Sequence, residues 1–122
     1  MRAGFKKCAA CATVWNTREE FLNDFSLILN GYKADFNNLG KGLFFFTHKR
    51  ENCFSTMALP AGLFFEIYGG ERYPNSMRML DECPRYCFDE KKLVRCRVHC
   101  KNAFVREVMR IILEGRTAGP SL

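Results

Sequence analysis

Apolar and polar residues alternate most regularly in the middle of the chain. Tyr32, Ala34 and Phe36 alternate with Lys33 and Asp35, and Leu43-Phe44-Phe45-Phe46-Thr47 forms an aromatic run. The run predicts a central strand covered on both faces, with Cys53 to Leu59 as its antiparallel neighbour. Upstream, Leu27-Ile28-Leu29 reads as a short strand and Asn30-Gly31 as a turn or bulge, so this region is one bent strand or two joined by a turn. Helical signals flank the sheet. Thr17-Arg18-Glu19-Glu20 is a capping box that predicts a short helix through about Asp24, with Phe21, Leu22 and Phe25 toward the core. Pro60 suits a first helical turn, and Ala61 to Tyr68 supplies an apolar face closed by Gly69-Gly70. Asn102 can cap a last helix whose apolar face runs from Phe104 to Leu113, with Arg106 and Arg110 on the other side and Gly115 at its end. Together these predict an α+β fold, a small antiparallel sheet with about three helices and two zinc knuckles, over residues 1–115. Residues 116–122 read as a flexible tail.

The composition suits one globular domain: 122 residues, 48% hydrophobic and 26% charged, are enough for a real core. The longest apolar runs, Gly42 to Phe46 and Ala61 to Phe65, fall well short of the roughly 18 residues a membrane span needs, so no membrane association is expected. Charged N-terminal residues lead into Cys8 and Cys11 without a long apolar stretch, so no secretory signal is expected and the reducing cytoplasm is the expected compartment.

Seven cysteines change the picture. They fall as Cys8-x-x-Cys11, a single Cys53 five residues after His48, Cys83-x-x-x-Cys87 and Cys96-x-x-x-Cys100. A close pair offers two thiolates from one turn, and two pairs make the tetrahedral cage zinc prefers. The eight residues between Cys87 and Cys96 let the chain reverse, so Cys83, Cys87, Cys96 and Cys100 form one candidate site. Cys8, Cys11 and Cys53 form another, with His48 as fourth ligand. The alternative for His48 is a strand-end histidine bonded to backbone. His99 lies inside its turn and reads as a surface residue or a support behind the ligands. Cross-pairing, in which Cys8 and Cys11 join the later pairs and Cys53 stays free in the core, is also open.

Other thiol chemistry competes. Disulfides Cys83 with Cys100 and Cys87 with Cys96 would need an exported chain, and an odd count strands one thiol. An iron-sulfur cluster uses the same thiolates, although the spacings differ from ferredoxin runs. Cys8-Ala9-Ala10-Cys11 as a redox dithiol lacks a preceding strand and a partner base. Among these, two structural zinc ions are the main expectation, since fully coordinated zinc is structural.

The acidic residues assemble no catalytic set and no phosphate loop is present, so no enzymatic activity is expected. Ser55 near His48 could be imagined as a nucleophile with its base, but a metal-bound His48 cannot accept the proton. The net charge of +6 invites a nucleic-acid reading, yet two thiolate sites would lower it to about +3. Lys91, Lys92, Arg95, Arg97, Lys101, Arg106 and Arg110 crowd the last pairs, where they could meet phosphate or simply balance thiolate charge.

Lys7-Cys8-Ala9-Ala10-Cys11 followed by Trp15 resembles a zinc-ribbon or rubredoxin-type knuckle. The longer pattern is similar to small cysteine-rich bacterial proteins of unknown function. It runs from Gly31-Tyr32 through Gly42 to His48, Cys53 and the last two cysteine pairs into Ala103 to Glu107. That resemblance implies a bacterial, cytoplasmic origin and no particular activity. The expected role is a structural zinc-binding module for interaction or regulation, with a protein partner. The alternatives are a redox or iron-sulfur sensor using the same cysteines and a weak nucleic-acid-binding protein.

Overall fold

The computed structural model describes residues 4–77 and 80–118. The chain opens with an antiparallel hairpin of two very short strands, β1 (Lys6–Lys7) and β2 (Val14–Trp15), with Lys6 opposite Trp15. Its turn is closed by Cys8 N–H to Thr13 O (2.8 Å) and Ala12 N–H to Cys8 O (2.8 Å), and Ala12 takes a left-handed φ of 64°.

A helix, α1 (Arg18–Leu22), follows from the capping box: Thr17 is extended and its Oγ1 accepts from Glu20 N–H, while the Glu20 carboxylate reaches back to Asn16 N–H. The helix stops at Leu22, short of the expected Asp24, because Asn23 and Asp24 already bond back to Glu19 and Phe21 carbonyls as a terminating turn. Phe25 therefore leaves the helical face and stands partly exposed, while Phe21 is buried.

Three strands make the central antiparallel sheet: β3 (Leu27–Lys33), β4 (Leu43–His48) and β5 (Thr56–Pro60), with β4 in the middle. The Asn30-Gly31 signal is a bulge within one strand, where the register with β4 shifts between Leu29 and Gly31. Leu27, Leu29, Tyr32, Phe44, Phe46, His48, Met57 and Leu59 are buried along these strands. The second face of β4 is only half-covered at Leu43, Phe45 and Thr47, so the expectation of full cover on both sides does not hold. That face carries a polar ladder, Asn30 Nδ2 to Thr47 Oγ1 and Thr47 to Thr56. β5 begins at Thr56 and not at Cys53, since Phe54 has a left-handed φ of 54° that a strand cannot contain.

Residues Ala61–Ile67 coil as a 3₁₀ helix instead of an α-helix. Ala61 N–H is fixed to Gly42 O (2.7 Å), and Gly62 lies so near Gly40 that an added Cβ would sit 3.1 Å from the Gly40 backbone. Phe64 joins Phe5, Phe21, Phe44 and Phe46 in an aromatic cluster, with ring centroids 5.6–6.0 Å apart for its own four contacts.

The last helix, α2 (Ala103–Ala118), packs against β3 and the Ala61–Ile67 coil through Phe104, Val105, Val108, Met109 and Ile112. It runs through Gly115, whose cost in a helix interior is only about 1 kcal/mol, so the expected tail is helical up to Ala118. Residues 119–122 lie outside the described residues. Arg106, expected on the solvent side, is fully buried because the loop over residues 92–94 folds across it: its Nε donates to Val94 O (2.7 Å) and its Nη2 to Lys92 O. Between Ile67 and Ala103 the sole regular element among the described residues is the 3₁₀ turn Tyr86–Phe88. No helix among the described residues is long and apolar enough to cross a membrane.

Candidate metal centre

Four side chains of the expected first site come together. Cys8 and Cys11 project from the hairpin turn. His48 closes β4, and strand alternation places its ring on the same side as Phe44 and Phe46. Cys53 comes from the turn after β4, which is held by Arg50 N–H to His48 O, Cys53 N–H to Arg50 O and His48 N–H to Ser55 O. Arg50 Nη1 also donates to Thr13 Oγ1 (2.7 Å), tying this turn to the hairpin. Two residues that follow a ligand, Ala12 and Phe54, have left-handed φ, so both loops bend sharply just after a cysteine.

The distances have the size a tetrahedral ion needs. Metal–sulfur bonds of about 2.3 Å and a metal–nitrogen bond of about 2.0–2.1 Å give sulfur–sulfur edges of about 3.8 Å and sulfur–nitrogen edges of about 3.6 Å. Cys8 Sγ lies 3.6 Å from Cys53 Sγ, and His48 Nδ1 lies 3.5 Å from both Cys11 Sγ and Cys53 Sγ. The four ligand atoms all fall within 4.8 Å of one another, the only such group found among the described residues. Cys53 is thus part of this site, and Cys8 and Cys11 do not join the later cysteines.

The surroundings favour a thiolate. Burial would raise the Cys8 thiol, but hydrogen bonds from Ser55, the Cys11 backbone, His48 and the Ala10 backbone outweigh it and lower it to about 5. Ser55 Oγ sits 3.4 Å from Cys8 Sγ and 3.3 Å from Cys53 Sγ, within hydrogen-bond reach of both sulfurs. Trp15, buried, stands edge-on to His48 at 5.2 Å, and its indole N–H is held by Asp24 Oδ2 (2.9 Å). Burial would raise the Asp24 carboxyl, yet hydrogen bonds from Ser26 and Trp15, with the nearby His48, hold it below its usual value. Trp15 thus covers this side of the site, whereas its neighbour Val14 is exposed. Ser55 and Asp24 carry no spacing signal that would mark them as supports.

The second expected set is arranged differently. Cys83, Cys87, Cys96 and Cys100 all line one cavity of ≈ 20 Å³, but they do not form a group as close as the first. Cys100 Sγ accepts from Met77 N–H (3.2 Å), and Arg106 Nη1 approaches Cys87 Sγ at 3.6 Å. Burial pushes the Cys87 thiol up against the opposing pull of Arg106. His99 is exposed and stacks flat on Tyr73, with ring centroids 4.5 Å apart. All seven cysteines are free thiols, so the rival pairing of Cys83 with Cys100 and Cys87 with Cys96 is not formed here. The basic cluster is partly engaged within the chain: Arg106 is buried, and at the surface Arg95 and Arg110 pair with Glu107, and Arg110 also with Glu114. Set against family models, curated proteins and solved structures, the chain matches none of them.

Proposed function

We propose that the protein is a structural zinc-binding module that serves interaction or regulation and catalyses no reaction. The observation that carries this reading is the convergence of Cys8, Cys11, His48 and Cys53, whose ligand atoms all lie within 4.8 Å of one another and three of whose separations, 3.5–3.6 Å, are close to the edges of a zinc tetrahedron. Three thiolates and an imidazole suit zinc's borderline-soft character, and four protein ligands leave no position for a reacting water. The ion would pin the hairpin to the end of the central sheet strand. A partner surface is consistent with Phe54, 63% exposed and fixed beside Cys53 by its left-handed backbone. The free state of all seven thiols suits a reducing compartment, the cytoplasm.

A redox sensor finds some support in the lowered Cys8 thiol, but Cys8 is fully buried and out of reach of an oxidant. Nucleic-acid binding loses support from the burial of Arg106 and from the surface ion pairs of Arg95 and Arg110 with Glu107 and Glu114.

Elemental analysis of protein purified without oxygen tests the reading. We expect zinc in the wild type and the loss of one equivalent in Cys53→Ser. Iron with a visible absorption band would replace the zinc reading with the sensor, and a Cys53→Ser protein that keeps the full metal content would remove the site altogether.

A further inference from the structure

We propose that Cys83, Cys87, Cys96 and Cys100 hold a second thiophilic divalent ion, with Arg106 as its buried counter-charge; the inference stands whether or not the first site binds zinc.

Three independent observations lead there. The first is convergence: cysteines from two separate stretches of an otherwise irregular segment line the same ≈ 20 Å³ cavity, room for about one ion- or water-sized body. The remaining wall is largely apolar, with Phe36, Met77, Pro84 and Val98 among the lining residues, so sulfur is the main donor facing the space.

The second is charge. The Arg106 guanidinium is fully buried, and its hydrogen bonds go to two backbone carbonyls and the Cys87 sulfur. None of the ion pairs among the described residues includes Arg106. A buried cation without an anion is strongly disfavoured, and a neutral thiol does not compensate it. Four thiolates around a divalent ion carry a net charge near −2, which is the missing anion.

The third is an orphaned donor. Asn102, 4% exposed, lines the same cavity, and its Nδ2 has no hydrogen-bond partner among the described residues. A metal-bound thiolate accepts such N–H groups, as Cys100 Sγ already accepts from Met77 N–H.

The segment also needs a staple. One three-residue turn is its only regular element between Ile67 and Ala103 among the described residues, and irregular segments of this length inside a compact domain are uncommon and usually functional. With its four thiols free, an ion would supply the crosslink that the segment's own backbone does not.

Metal stoichiometry of the full chain, purified without oxygen, tests the proposal. Two equivalents are expected in the wild type, one in Cys53→Ser and one in the double variant Cys83→Ser/Cys96→Ser. A wild type with one equivalent that the double variant retains and Cys53→Ser loses overturns the second site and leaves the first standing. The reverse pattern overturns the first and leaves the second. Should the double variant fail to fold, X-ray absorption of the wild type decides: seven sulfurs and one nitrogen shared over two ions are expected, against three sulfurs and one nitrogen on a single ion. Fewer than seven titratable thiols in denaturant would assign these cysteines to disulfides and overturn it too. Arg106→Met should weaken the second ion by about tenfold to a hundredfold in a chelator competition, with partial recovery in Arg106→Lys. Unchanged affinity in Arg106→Met would remove the counter-charge role.

Discussion

Cys8 shows how a single atom's surroundings prepare a site. Its sulfur collects a hydroxyl and two backbone N–H groups, and the thiol falls from 9.0 to about 5. A group lowered in the folded state contributes stability that is fully present above its unfolded value and is lost as the pH falls through its folded value. For Cys8 that window runs from 9.0 down to about 5. The same protons compete with a bound ion, so we expect the first site's metal affinity to fall as the pH drops. A chromophoric chelator reads the release directly, and Ser55→Ala should shift it to higher pH by removing the strongest bond to the thiolate. At this scale the sequence was informative about the ligands: pairs of cysteines at fixed spacing and a histidine five residues from Cys53 are visible without a structure. Ser55, Asp24 and the burial of Arg106 were not, because each depends on which distant loop closes over it. Arg106 occupies a polar position in the helical pattern and is buried by the 92–94 loop and by Tyr86 and Cys87, none of which has a periodicity that would announce it.

Among the elements, the readable ones were those marked locally. The capping box of α1, the aromatic run of β4 and the apolar face of α2 each carry a local signal strong enough to be read, whereas the alternation from Tyr32 to Phe36 overran β3, which ends at Lys33. The β1–β2 hairpin has two residues per strand, too few for any alternation, and exists because the cysteine turn closes it. The Ala61–Ile67 coil looked α-helical from its apolar spacing, but the close passage of Gly62 over Gly40 is a tertiary constraint. That passage is a sharp point of the fold. Gly62→Ala would push a methyl to 3.1 Å from the Gly40 backbone, which cannot rotate away as a side chain could. We expect a net loss of about 1–3 kcal/mol, despite the smaller gain from restricting the unfolded chain, measurable as a lower urea midpoint with an unchanged slope.

For the molecule as a whole, the core is continuous from the cysteine turn to the last helix, with Cys8 and Trp15 in the same buried cluster as Phe46, Phe64 and Met109. Metal loss at the first site should therefore not stay local. We expect a strong chelator to lower the melting temperature and to expose Trp15, seen as a red shift of its fluorescence; an unchanged melting curve would mean the ion is peripheral to the fold.

The position of His48 at the end of β4 has a consequence for assembly. Its side chain joins the cysteines only when β4 is paired in its native register, because a slip of one residue would turn it to the opposite face of the sheet. Coordination must then come after strand pairing, so added zinc should leave the refolding rate nearly unchanged and slow unfolding, a split that stopped-flow measurements resolve. An ion held there would act as an inspector of the finished sheet: it would lock correctly paired chains and leave mispaired ones bare and open to proteolysis.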